Sequence, residues 1–210
     1  MGFFLSALIT VFIVVDPIAI APLYLSLTSR MSEDEKNAVT RRSVVIAAAI
    51  LVVFAVAGRY LLDYLGITVP AFYIAGGILL LLIAIDMLFA RPSRTRETPE
   101  EEMAAIHSTD ISVFPLAIPI LAGPGAIATV VLYMRLASGD PFQIAAVFFA
   151  IAASLGSAYI TMRSSGLVVR YLGRTGIGVT GRVMGILLAA LAVQFVLTGI
   201  ANYAHQTLHV

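Results

Sequence analysis

The stretch VVDPIAIAP, residues 14–22, places one carboxylate and two prolines in the middle of an otherwise apolar segment. A charged group at the centre of a membrane helix costs about 2.5–3.5 kcal/mol on insertion scales, and such groups usually serve a function. Proline lacks an amide hydrogen and clashes with the carbonyl four residues earlier. Pro17 and Pro22 should therefore each free one carbonyl, in the second case that of Ile18. The stretch predicts an interrupted helix with a functional role for Asp16.

The composition places this interruption in a membrane protein. The chain has 210 residues, of which 60% are hydrophobic and 12% are charged, and its mean hydropathy is +0.99. Soluble proteins contain about 45–50% apolar and about 25% charged residues, so this excess favours a polytopic membrane protein. A net charge of +1 provides no basic surface for nucleic acid. The absence of cysteine excludes disulfides, thiol catalysis and cysteine-based metal sites, and we expect neither a cofactor nor a bound metal.

Six segments are long and apolar enough to cross a bilayer, which takes about 20 residues per helix. Eleven of the thirteen Lys and Arg residues fall in connections on one side, and basic residues favour the cytoplasm. We therefore predict a multi-pass protein of the cell inner (plasma) membrane with both termini on the periplasmic side. The predicted spans are 2–29, 43–62, 69–90, 111–135, 142–162 and 183–203.

The polar stretch from Arg91 to Asp110 divides the chain into halves of three spans each. Its mixed charges and two prolines indicate a cytoplasmic linker loop. The prediction is one integral membrane domain, with a first three-helix repeat at 1–90, the linker at 91–110 and a second three-helix repeat at 111–210.

The two halves are similar to each other at a register of about 107 residues. YLG at 64–66 meets YLG at 171–173, and one residue later in register Asp86 meets Gln194. Because each copy has an odd number of spans, the second must insert upside down, and inverted repeats with interrupted helices mark the binding sites of secondary transporters. The predicted fold is an all-α membrane protein of six transmembrane helices, arranged as two inverted three-helix repeats with helices 1 and 4 broken near the bilayer midplane. The first interruption is matched at Pro17, Ala19, Ile20, Ala21 and Leu25 by Pro124, Ala126, Ile127, Ala128 and Leu132.

The matching interruption is AGPGAI, residues 122–127, whose two glycines tolerate backbone angles that a helix forbids. A helix that restarts at Pro124 has free amides and a positive dipole end. The three amides after Pro124, through that of Ile127, could then hold a carboxylate, while Asp16 meets an ammonium group or carries a coupling proton. Opposed charges of this kind suit a zwitterion such as a small amino acid.

The candidate residues follow from the two interruptions and from polar positions within the spans, and structural alternatives stay open for each. Prolines often only kink membrane helices whose neighbours repair the backbone, and polar side chains such as Thr129 and Gln194 often only join helices. Asp86 lies about one turn from the cytoplasmic end of its span, where a carboxylate can reach water. The candidate substrate-binding residues are Asp16, Pro17, Pro22, Gly123, Pro124, Gly125, Ala126 and Thr129, and the candidates for coupling to a proton or sodium ion are Asp16, Asp86 and Gln194.

The stretch GIGVTG, residues 176–181, fits the glycine pattern of dinucleotide-binding loops. That mechanism requires a preceding strand and a βαβ unit, whereas this stretch lies between two predicted spans. We therefore predict a flexible cytoplasmic turn and no nucleotide site.

DPIAIAP near the N-terminus, AGPGAIATV at the start of the second half and the six-span hydropathy resemble the MarC family of bacterial inner-membrane proteins. The resemblance extends along essentially the whole chain. MarC-like proteins are similar to the wider superfamily of lysine-exporter-type transporters, and some relatives are described as small neutral amino acid transporters. The resemblance therefore implies amino acid transport, and it implicates Asp16, Pro17 and Pro22 in one interruption and the GPG of residues 123–125 in the other.

The leading interpretation is a secondary transporter that moves a small neutral amino acid or a similar zwitterion by alternating access. A non-transporting membrane scaffold or regulatory protein is the alternative, and an ion channel also stays open. An intramembrane aspartyl hydrolase would need Asp16 and Asp86 to meet, although their expected depths differ by about 15 Å at about 1.5 Å per residue, so we expect no enzyme and no catalytic residue. The expected partners are a small-molecule solute and the lipid bilayer, with a homo-oligomer left open and no nucleic acid.

Overall fold

The computed structural model describes residues 2–89 and 110–208, and within these ranges the regular secondary structure is helical throughout. The predicted linker at 91–110 lies outside the described residues except for Asp110, and the boundaries of the two predicted repeats stay predictions. The helices are α1 (Gly2–Val15), α2 (Ile20–Leu27), α3 (Glu33–Tyr64), α4 (Val69–Leu88), α5 (Pro124–Leu136), α6 (Pro141–Arg163) and α7 (Ser165–Leu208).

An irregular stretch, Ser112–Leu121, precedes α5 and is called the proline segment below. Phe114 and Ile118 have extended backbone angles inside it, and each is followed by a cis proline. The proline segment and α5 meet at an angle of 52°.

Five stretches of helix are long and apolar enough to cross a membrane, and a sixth results when the proline segment and α5 count as one span. The prediction of an all-helical protein that crosses the membrane several times is confirmed. Two spans begin well before their predicted starts: the second is Glu33–Gly58 instead of 43–62, and the last is Thr175–His205 instead of 183–203. Helix α3 begins early because Ser32 and Glu35 cap each other: the Ser32 amide donates to the Glu35 carboxylate at 2.7 Å, and the Glu35 amide donates to the Ser32 hydroxyl at 3.3 Å.

The predicted turn at residues 176–181 was wrong, since these residues are helical and belong to α7. The chain changes direction earlier, at Gly173, where φ is 62° and ψ is 179°. A positive φ of this size suits glycine because a Cβ would meet the backbone.

Two ion pairs join α3 to the fourth span at both of its ends. A guanidinium nitrogen of Arg42 lies 2.5 Å from a carboxylate oxygen of Asp110, and a guanidinium nitrogen of Arg135 lies 2.7 Å from a carboxylate oxygen of Asp63. Hydrogen bonds from Ser112, together with the nearby Arg42, hold the pKa of the Asp110 carboxyl below its usual value. The two pairs show that α3 and the fourth span run in the same direction, as the sequence predicts for its second and fourth spans.

The most extensive helix packing joins one half of the chain to the other. Helix α4 packs along α7, α1 packs against α6, and α3 packs against the proline segment and α5. The α4–α7 contact is close because Gly77 has no side chain: a Cβ there would lie 2.7 Å from the carbonyl oxygen of Ala192 and 2.8 Å from a methyl carbon of Val196. Small residues at such crossings let membrane helices approach each other.

Replacing Gly77 with alanine is expected to destabilise the protein by about 1–3 kcal/mol, because the new methyl group meets a backbone carbonyl that cannot rotate away. The measurement is the thermal midpoint of the purified protein in detergent. Gly178→Ala is the matched control, because a Cβ at Gly178 meets nothing within 4 Å. Equal midpoints for the two variants would contradict the proposed close contact.

Candidate functional site

The first interruption separates α1 from α2 at residues 16–19. Asp16 is buried, with 6% of its surface exposed, and has a φ of 49°, in the left-handed region where Asp and Asn are enriched. Its amide still donates to the carbonyl of Phe12 at 2.9 Å, so the regular helix ends there. Pro17 follows directly and is also buried.

Contrary to expectation, Pro22 does not leave the backbone carbonyl of Ile18 without a hydrogen bond. The carbonyl of Ile18 accepts a hydrogen bond from the amide of Ala21 at 3.3 Å, because the turn between α1 and α2 is tighter than an α-helix. Pro22 itself is exposed within α2. The structure therefore places Asp16 and Pro17 in the interior and Pro22 on the surface.

The second interruption lies between the proline segment and α5. Gly123 is the N-cap residue of α5, with a φ of −75° and a ψ of 171°. A Cβ at this position would collide with the carbonyl oxygen of Pro119. The position therefore requires glycine because the backbone of the proline segment passes too close for any side chain.

A narrow cleft with room for about one water molecule lies between the second interruption and the end of α1, just before the first interruption. Helix α1 contributes Val14, two residues before Asp16, and α4 contributes Ile83. At Gly125 a Cβ would run into the end of the Ile83 side chain and would lie 3.3 Å from a methyl carbon of Val14. The absence of a side chain at Gly125 therefore keeps the cleft open. The lining residues are Val14, Ile83, Pro119, Ile120, Gly123, Pro124, Gly125 and Ala126.

The first turn of α5 presents backbone amides at this cleft. Pro124 has no amide hydrogen, and the amide of Ile127 donates to the carbonyl of Gly123 at 3.0 Å. Two amides, those of Gly125 and Ala126, thus lack a partner within the helix, instead of the three expected. Two N–H groups at the positive end of a helix can bind a carboxylate.

The other predicted residues lie at different distances from the cleft. Thr129 follows Gly125 by about one helical turn and is 1% exposed, and its hydroxyl has no hydrogen-bond partner in the described part of the chain. Asp86 follows Ile83 by one turn of α4 and is half-buried. Gln194 lies on the exposed side of α7, where its amide donates to the hydroxyl of Thr198 at 3.3 Å. Gln194 is not among the residues that line the cleft.

A buried polar cluster that the sequence reasoning missed joins α1 to α5. The Tyr133 hydroxyl lies 2.6 Å from the hydroxyl of Ser6 and 2.9 Å from that of Thr10. Tyr133 and Thr10 are almost wholly buried. The cluster lies on the side of the cleft toward the start of α1, so α1 and α5 run in opposite directions. Three hydroxyl groups in apolar spans were the available signal.

Comparisons with known proteins agree with this architecture. A family model described as "MarC family integral membrane protein" matches residues 1–204. A UPF0056 membrane protein of Methanocaldococcus jannaschii is 39% identical over 201 residues, which cover 94% of this chain and 96% of the relative. The UPF0056 membrane protein YvbG of Bacillus subtilis is 34% identical, covering 95% of this chain and 94% of the relative. YhcE of Escherichia coli, also a UPF0056 membrane protein, is 33% identical, with coverages of 91% and 89%. No solved structure matches the chain.

Proposed function

The chain belongs to the MarC family of integral membrane proteins, and from that premise we propose that it is a secondary transporter of a small neutral amino acid or a similar zwitterionic solute. The observation that carries the proposal is the cleft, because the end of α1, just before the first interruption, meets the second interruption there, and two backbone amides of α5 are available at it. The proposed mechanism is alternating access at a site near the bilayer midplane, without catalysis.

Two features support the inverted repeat on which alternating access depends. The helix contacts stay the same when the two halves are exchanged. The first span packs on the fifth (α1 on α6) as the fourth packs on the second (the proline segment and α5 on α3), and the third span, α4, packs on its counterpart α7. The glycines of the two YLG motifs, Gly66 and Gly173, have φ angles of 67° and 62°. Two copies of one unit would share such a residue in a rare conformation.

The proposed site recognises the two charges of a zwitterion separately. The amides of Gly125 and Ala126 bind the carboxylate at the positive end of α5. Asp16, two residues beyond the cleft wall at Val14, attracts the ammonium group or carries a coupling proton. Val14 and Ile83 close over the site so tightly that a Cβ at Gly125 already collides with Ile83, so the site must widen during alternating access to admit even a small solute. Asp86, one turn beyond Ile83, is a second candidate for coupling to a proton or a sodium ion, and Gln194, on the outer side of α7, is the weakest of the three.

Opening of the site would require the hydroxyl cluster to part. Tyr133 holds α1 and α5 together through Ser6 and Thr10, and each hydrogen bond contributes about 1 kcal/mol. Contacts of this size can form and break at modest cost, as a reversible gate needs.

Counterflow by the reconstituted protein tests the proposal. Proteoliposomes loaded with unlabelled glycine, alanine, serine or threonine are expected to accumulate the corresponding labelled solute, whereas protein-free vesicles are not. Absence of counterflow for every solute tried, with correctly folded protein in the membrane, would reject the transporter and favour the scaffold or regulatory alternative.

The Gly125→Ala variant is expected to lower the counterflow rate about tenfold, because the methyl group fills the cleft and costs about 1.4 kcal/mol of solute binding. The fold should persist, since the clashing atom of Ile83 is the end of a side chain that can rotate. Ile83→Val removes that atom, so the double variant Gly125→Ala, Ile83→Val should recover most of the rate. Independent, additive effects of the two changes would argue against a shared cleft.

A further inference from the structure

The segment between the fifth and sixth spans carries an exposed apolar face that transport does not explain. Residues 165–172 are helical but lie between the two candidate spans, Pro141–Arg163 and Thr175–His205. Gly173 then turns the chain into the last span. Leu167 is 56% exposed, Tyr171 is 84% exposed and Leu172 is 40% exposed. At a spacing of four residues, Leu167 and Tyr171 share one face of a short helix, and Leu172 lies at its end.

The charge around this helix is strongly one-sided. Four arginines fall between residues 163 and 182, and the sequence has no Asp or Glu after Asp140. Arg163, Arg170 and Arg182 are exposed, and none of them forms an ion pair with a carboxylate in the described part of the chain. Glu33 interacts electrostatically with Arg163, but its carboxylate is paired with the ammonium group of Lys36 at 2.8 Å. The segment therefore has cationic groups available for an external anion.

The corresponding stretch of the first half, at the end of α3, shares the exposed apolar residues and the final glycine but differs in charge. At the register of 107 residues, Tyr64 matches Tyr171 and Leu65 matches Leu172, and these two are 88% and 58% exposed. Gly66 ends that segment with the positive φ that Gly173 also has. The charges differ, because Asp63 is paired with Arg135 at 2.7 Å. The apolar face is thus common to both copies, whereas the first-half stretch carries both Arg59 and the carboxylate of Asp63, and residues 163–174 carry arginines without any carboxylate.

We propose that residues 163–174 form an interfacial segment that binds the headgroups of anionic phospholipids. Leu167, Tyr171 and Leu172 enter the boundary between headgroups and acyl chains, as apolar faces of interfacial helices do. Arg163 and Arg170 then contact lipid phosphates, which gives an enrichment of about fivefold per basic residue near an anionic surface. The neutral first-half segment binds lipid without regard to headgroup charge. This binding is independent of the transport proposal.

Site-specific quenching tests the proposal in the intact protein. Because the chain has no cysteine, a fluorophore can be attached to Leu172→Cys or, as the matched control, to Leu65→Cys. Each labelled protein is reconstituted in phosphatidylcholine vesicles containing phosphatidylglycerol, with a nitroxide quencher on the headgroup of either lipid. At residue 172 the nitroxide on phosphatidylglycerol is expected to quench at least about fivefold more than the nitroxide on phosphatidylcholine, whereas at residue 65 the two should quench equally.

Charge variants separate phosphate binding from simple insertion. In the Leu172→Cys background, Arg170→Gln is expected to reduce the preference for phosphatidylglycerol about fivefold, and Arg170→Lys should retain most of it. High salt should weaken the preference because it screens exposed charges. Equal quenching by both lipids at residue 172, the same preference at residues 65 and 172, or a preference that survives Arg170→Gln unchanged would each overturn the proposal. The first two outcomes need no arginine variant, so a failure of Arg170→Gln to fold leaves the test intact.

Discussion

Replacing Asp16 with asparagine is expected to lower concentrative uptake of the solute by about 10- to 100-fold. A hydrogen bond to a charged group contributes about 1.5–3 kcal/mol, and about 1.4 kcal/mol corresponds to a tenfold change. Asparagine accepts the left-handed backbone that Asp16 has, with a φ of 49°. The fold should therefore persist while the carboxyl group is replaced by an amide that does not titrate. The measurement is uptake into proteoliposomes under an imposed proton or sodium gradient, with a thermal midpoint to verify folding.

The pattern of loss in this variant identifies the role of Asp16. If the carboxylate carries the coupling ion, Asp16→Asn should keep counterflow, which needs no gradient, and lose gradient-driven accumulation. If the carboxylate binds the solute, both activities should fall together. Asp110→Asn is the control, because Asp110 lies at the end of its span beside Arg42. Full gradient-driven uptake by Asp16→Asn would remove Asp16 from the mechanism.

Replacing Gly123 with alanine is expected to damage the fold itself. The new methyl group would collide with the carbonyl oxygen of Pro119, which belongs to the backbone and cannot rotate away. Overpacking of this kind costs about 1–3 kcal/mol, or about 3–10 °C in thermal midpoint for a chain of this length. We therefore expect a lower midpoint together with lost counterflow.

A matched glycine in α6 provides the control for this second variant. A Cβ at Gly156 meets nothing within 4 Å, and alanine is favoured over glycine inside a helix by about 0.5–1 kcal/mol. Gly156→Ala should consequently hold or raise the midpoint and keep counterflow. If Gly123→Ala is as stable as Gly156→Ala, the close passage of the proline segment over α5 is wrong.

The sequence was informative where it contained residues that a lipid-embedded helix avoids. Asp16 and the glycines flanking Pro124 stand out against an apolar background, because each costs free energy unless the surroundings compensate. The structure gives these residues the properties expected of a site: Asp16 is buried, and Gly123 and Gly125 line the cleft. Rare residue types are therefore readable from sequence even without knowing which helices are neighbours.

The remaining parts of the site lacked such a signal. Ile83 is an apolar residue in an apolar helix, and its place in the cleft depends on how α4 packs, which hydropathy does not encode. The early start of α3 was readable in principle, since Ser32 and Glu35 have the spacing of a capping box. A search for apolar spans overlooks that signal because the first turns of the helix are polar. The hydroxyl cluster around Tyr133 likewise needs contacts between distant segments.

The pairing of helices across the two halves has a consequence for how the protein is made. While the ribosome is still translating the second half, α1, α3 and α4 already enter the bilayer, but the second-half helices that they pack against have not yet been made. Until then, the first-half helices lie in the lipid without their main packing partners. A polypeptide that ends after residue 89 would lack the helices that its own helices pack against. Two halves produced as separate polypeptides would together keep every packing surface between them.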